Sequence, residues 1–101
     1  MKKAMLIQPM AGRNELEILK ERNMMKDVME SNGYEVMETL FREKAPKDVN
    51  EGLYYLGKSI QAMSKADLVV LLPNWNKNKG CKIEYECAKA YGKETLEIQL
   101  Y

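Results

Sequence analysis

Residues 67–72 read DLVVLL, and Pro73 closes them. Five apolar residues in a row leave no alternate polar positions for a solvated face, so the run is a strand buried on both sides. Such strands belong to parallel sheets covered by helices. The flanking sequence agrees. Residues 53–66, LYYLGKSIQAMSKA, carry a helical pattern, and 42–52, REKAPKDVNEG, are polar, contain Pro46 and read as a loop. Residues 34–41, YEVMETLF, read as a strand. Before them a helix begins at Asn14, a residue suited to an N-cap, with Glu15 and Glu17 complementing the dipole in its first turn. Ile18, Met25, Val28 and Met29 share the face expected of a helix lying on a sheet. Asn32-Gly33 ends that helix, with Gly33 as a left-handed stop. Residues 4–8, AMLIQ, form a first short strand, and turn-like PMAGRN follows.

Beyond DLVVLL the polar loop PNWNKNK leads into the helix GCKIEYECAKAY, residues 80–91, with Ile83, Cys87, Ala90 and Tyr91 on one face. Gly92 ends it, and ETLEIQLY, residues 94–101, reads as a last strand. The order is β-α-β-α-β-α-β. It implies an α/β fold, a flavodoxin-like or Rossmann-like three-layer sandwich around a mostly parallel four-stranded sheet. A length of 101 residues suits a single domain over 1–101.

Sixteen Lys and Arg against fifteen Asp and Glu give a net charge of +1. That balance offers no footprint for a nucleic-acid polymer or an anionic membrane. No apolar run is long enough to span a bilayer, and no signal peptide is evident. Cys81 and Cys87, six residues apart on one helix, point to different faces, so a reduced, cytoplasmic protein is expected. The absence of His removes the commonest general base and metal ligand, and no metal or cofactor is expected. Neither a P-loop nor a dinucleotide fingerprint occurs.

Ligands of open α/β sheets sit beyond the carboxyl ends of the strands, where the strand order switches. If the first and third strands are neighbours, Gln8, Pro9, Met10, Gly12 and Arg13 face the same crevice as Asn74, Trp75 and the helix start at Gly80. Glu84 on that helix reads either as a ligand-facing carboxylate or as a complement to the helix dipole. Arg13 reads as a phosphate clamp or as a solvated surface residue. Trp75 reads as a stacking platform for a base or as a lid over the sheet edge. Asn74, Asn76 and Asn78 are hydrogen-bonding groups for a ligand, or turn and cap residues.

Residues 80–93, GCKIEYECAKAYGK, resemble the nucleophile segment of nucleoside 2-deoxyribosyltransferases and of deoxynucleoside 5′-monophosphate N-glycosidases. Gly80 precedes Glu84, Ala88 follows it at +4, and Gly92 and Lys93 stand at +8 and +9. Glu86 has Ala90 at +4 and nothing more of the pattern. Residues 66–84, ADLVVLLPNWNKNKGCKIE, are closer still to small, mostly phage and prophage relatives with the pattern D-x-V-x-x-x-x-x-W-x-x-x-x-G-x-x-x-E. LIQPMAGR, residues 6–13, resembles their first loop.

The resemblance implies an N-glycosidase or deoxyribosyltransferase acting on a small nucleoside or nucleotide. Glu84 is then the nucleophile, ionised at neutral pH and held by first-turn amides. It attacks C1′ to give a glycosyl-enzyme that a base or water resolves. The resemblance also implies a homo-oligomer, with Tyr101 near a partner's site. Two departures stand out. Ser59 occupies the place of a family Asp that binds the sugar or protonates the base, and Met5 the place of a Tyr that sets the nucleophile. Loss of the acid threatens a contribution of roughly 10²–10⁴-fold. The alternative is a non-catalytic nucleotide-binding protein on the same scaffold.

Overall fold

The structure is a computed structural model and describes residues 1–99. Four strands form one parallel sheet in the order β2-β1-β3-β4. They are β1 (Lys2–Ile7), β2 (Tyr34–Val36), β3 (Leu68–Leu71) and β4 (Glu94–Glu97), alternating with α1 (Glu15–Ser31), α2 (Glu51–Met63) and α3 (Lys79–Ala90). DLVVLL is the buried central strand its composition demands, with every residue of β3 inside. Alternate side chains face opposite ways along a strand. Met5, Ile7, Val69 and Leu71 therefore meet Met63 of α2 and Cys81 and Ala88 of α3, while Leu6, Val70 and Leu72 meet Met25 and Met29 of α1. Helices on both faces make this the expected three-layer α/β sandwich.

Asparagines start all three helices. Asn14 Oδ1 accepts from the Glu17 amide at 2.8 Å, Asn50 Oδ1 from Leu53 and Asn78 Oδ1 from Cys81, both at 3.0 Å. The cap at Asn50 starts α2 two residues before the apolar pattern that announces it. Gly33 (φ 88°) and Gly92 (φ 69°) take the left-handed conformation that stops α1 and α3.

Two strands are shorter than the sequence suggests. The edge strand β2 ends at Val36 rather than Phe41, because the register pairs it with only the first half of β1, up to Ala4↔Val36. The Met37 amide makes a last bond to Ala4 O at 2.9 Å, and Thr39 is then drawn to a side chain of α1. At the opposite edge β4 ends at Glu97, and its residues are exposed. Leu100 and Tyr101 lie outside the described residues.

On α1 the expected face holds at Ile18, Met25 and Met29, but Arg22 is also buried and Val28 is exposed. The face of α3 is rotated from expectation. On α3 Ile83 is 41% and Tyr91 85% exposed, and Ala90 also faces solvent. The inward face runs instead through Cys81, Glu84, Tyr85 and Ala88, spaced i, i+3, i+4, i+7. No helix among the described residues is long and apolar enough to cross a membrane.

Candidate functional site

β1 and β3 are adjacent and parallel, with Ile7 opposite Leu71 at their carboxyl ends. The chain leaves this edge towards α1 on one face and towards α3 on the other, so the edge between them is the switch point where a crevice forms. A cleft of about 520 Å³ lies there. Gln8, Met10 and Ala11 line it after β1, and Thr39, Leu40 and Phe41 after β2. Glu51, Tyr55 and Ser59, successive turns of one α2 face, form a third wall. Asn78, Gly80, Cys81 and Glu84 close it from α3.

Glu84 is the notable group. It is the sixth residue of α3, in the second turn, beyond the first turn where the helix dipole stabilises acids. It also occupies a core-facing slot, between Cys81 and Ala88, that periodicity reserves for an apolar side chain. Burial pushes its carboxyl up from 4.5 to about 7. Burial thus brings its titration close to neutral pH. The sequence reading has Glu84 ionised at neutral pH and held by first-turn amides; of those amides, that of Cys81 is taken by Asn78 Oδ1. The neighbouring Cys81 thiol is pushed up to about 12 by burial and by the Glu84 charge.

The other predicted residues divide. Gln8, Met10, Ser59 and Gly80 line the cleft with Glu84. Pro9, Gly12, Arg13, Asn74 and Trp75 do not. The Arg13 guanidinium turns away, donating to Pro9 O and to Glu21 Oε1, both at 2.9 Å. Gly12 (φ 75°) makes the turn before it. Trp75 lies on the outer side of α3, beside a separate hollow of about 690 Å³, with its ring 4.6 Å from Tyr85. It packs on the core cluster as a lid, and its buried Nε1 finds no partner among the described residues. Asn74 holds a left-handed turn (φ 69°) ahead of it. Asn78 is a cap that also lines the cleft. Tyr101 lies outside the described residues.

The two departures from the transferase pattern are not made good nearby. Met5 is buried under the sheet. Tyr55 reaches the cleft, but its hydroxyl is spent on Glu43 O. Asp67 sits at the opposite end of the sheet, accepting from the Lys3 amide at 2.7 Å. Lys93 is also remote, donating to Ala66 O at 2.9 Å and Ser64 O at 3.3 Å beyond the end of α2.

Sequence reasoning missed a buried polar group behind the β1 and β2 walls. Arg22 is 6% exposed, and no carboxylate stands within ion-pair reach among the described residues. Its guanidinium donates to Gln8 Oε1 at 3.2 Å and Thr39 Oγ1 at 2.6 Å. Burial lowers its pKa, and the field of Glu38 opposes the shift. The signal was present: an Arg four residues after Ile18 and seven before Met29, in an inward position of α1.

Across residues 3–97 the chain matches the family described as Domain of unknown function (DUF4406), and it belongs to that family. No curated protein matches it.

Proposed function

We propose that the Glu84 cleft binds a nucleoside or nucleotide and cleaves its N-glycosidic bond, by hydrolysis or by transfer to another base. The observation that carries this is a half-buried carboxylate in a core-facing slot, at the switch point of the sheet, open to a cleft of about 520 Å³. An acid so placed costs stability, so its presence asks for a use. The resemblance of the Gly80–Lys93 segment to the transferase nucleophile names the use. The Glu84 carboxylate attacks C1′, the bond to the base nitrogen breaks with its electron pair, and the base takes a proton from solvent. Water or a second base then displaces Glu84 from C1′. Only the ionised carboxyl attacks, so turnover rises with pH through about 7.

The test is chromatography of free base released from nucleosides and their 5′-monophosphates, deoxy and ribo, by wild type and Glu84→Gln. Release by wild type alone supports the reading, and equal release by both refutes it. A second reading, a nucleotide-binding protein without turnover, is favoured by Ser59 and by the buried Met5. Calorimetric binding without base release distinguishes it. A homo-oligomer accompanies either reading, supported by the exposed Leu53, Ile83, Tyr91 and Leu96, and a cytoplasmic location belongs to the same proposal. A monomeric mass by light scattering rules the oligomer out.

A further inference from the structure

Gln8 and Thr39 are 7% and 6% exposed, both line the cleft, and both are held by one guanidinium. Their orientations are therefore fixed. The Gln8 oxygen must face Arg22, since the reverse would set donor against donor. Its amide hydrogens are spent on Ile18 O at 2.9 Å and Glu21 Oε1 at 3.0 Å. What Gln8 has left is a lone pair. Thr39 is the opposite case. Its oxygen accepts from Arg22, so its own proton is free to donate, and among the described residues none accepts it. A cation behind a hydroxyl also makes it a better donor.

The wall thus shows one acceptor beside one donor. The charged side chains that line the cleft are Glu51 and Glu84, and no Lys or Arg is among them. Arg13, the expected phosphate clamp, is committed to Glu21. A phosphate would meet two carboxylates and the Gln8 lone pair, and find no cationic side chain to offset them.

Resting on the reading of the cleft as a nucleoside site, we infer that Gln8 and Thr39, oriented by buried Arg22, bind a neutral ligand group that gives one hydrogen bond and takes one, and that the cleft prefers nucleosides to their 5′-phosphates. A nucleobase edge with N–H beside an acceptor has this chemistry, and so has a sugar hydroxyl.

Titration calorimetry tests it with the four common deoxynucleosides, their 5′-monophosphates, and two analogues of the tightest binder. One analogue is methylated at the base N–H and the other lacks the 3′-hydroxyl. We expect the nucleosides to bind at least about tenfold more tightly than their monophosphates, the scale of one lost hydrogen bond. One analogue should lose a similar factor, which identifies the group. Thr39→Val should lose that factor for the parent nucleoside and nothing further for that analogue, and Thr39→Ser should keep it. Preference for monophosphates, full affinity of wild type for both analogues, or equal losses in Thr39→Val for parent and analogue would overturn the inference. The analogue series needs only wild type, so misfolding of Thr39→Val does not void the test. No binding by any nucleoside overturns the proposed function as well, whereas binding without the expected preferences overturns this inference alone.

Discussion

Glu84→Gln keeps the size of the side chain and removes its charge, so it isolates the cost of burying that carboxyl. Below pH 4.5 the carboxyl is protonated in the folded and unfolded chain alike, and charge plays no part. As pH rises through 4.5 the unfolded chain ionises while the folded one resists until about 7. The unfolded state is favoured throughout that interval, and stability falls as pH rises. Each pH unit between the two values costs about 1.4 kcal/mol, and the loss levels off above the folded value. Allowing for the carboxyl's partial contact with water, the whole loss is roughly 2–3 kcal/mol. Glu84→Gln escapes it. In urea titrations followed by circular dichroism, the variant should match wild type near pH 4.5 and exceed it by that amount at pH 8. In thermal melts at pH 8 this corresponds to a gain of roughly 10 °C or more for a domain of this size. Superimposable curves at pH 8 would refute the reasoning. So would a gain that is the same at both pH values, which would point to packing rather than charge.

Arg13→Ala should leave ligand affinity unchanged in calorimetry, because the guanidinium is turned to Glu21 outside the cleft; its cost is about 1 kcal/mol of stability in urea titration. Asn78→Ala removes the cap from the Cys81 amide and should cost about 1 kcal/mol, read from the urea midpoint. A thiol titration at pH 8 should show Cys87 reacting and Cys81 silent until the protein is denatured, because Cys81 is buried and its thiol is pushed up to about 12.

The fold was legible because DLVVLL allows few alternatives. An unbroken apolar strand needs cover on both faces, and the helical stretches on either side supply it. Element ends were legible where a backbone rule acts, as at Asn14, Gly33 and Gly92. They were not where a tertiary partner decides: Thr39 leaves the β2 direction for Arg22, a residue of another element, and no local pattern announces that. Arg22 on α1 was missed, and the face of α3 misread, for a related reason. Apolar side chains define a face only when the inward slots are apolar, and here Arg22 and Glu84 hold two of them. Ile83 and Tyr91 then drew the predicted stripe of α3 to its exposed side. Half of the cleft was hidden as well. Gln8, Met10, Ser59, Gly80 and Glu84 came from motif and topology, whereas Thr39, Phe41, Glu51 and Tyr55 reach it only through the path of the chain after β2 and the early start of α2.

The two inward charged residues share an address. Arg22 and Glu84 lie on helices of opposite faces, yet each meets the carboxyl-end cleft of the sheet, Arg22 through Gln8 and Thr39 and Glu84 directly. At the other end the polar groups obey the ordinary rules: Asp67 is exposed and caps the Lys3 amide, and Lys93 satisfies carbonyls at the end of α2. Two inward charged groups gathered around one cleft point to a second requirement there. Stability alone would favour apolar side chains in both inward slots, since a buried charge without a carboxylate partner, or a desolvated acid, weakens the fold. The balance of these two charges also bears on the ligand. The cation is screened behind neutral side chains and the acid stands open, so a ligand meets hydrogen-bonding groups at one wall and a carboxyl that loses its proton near neutral pH at the other.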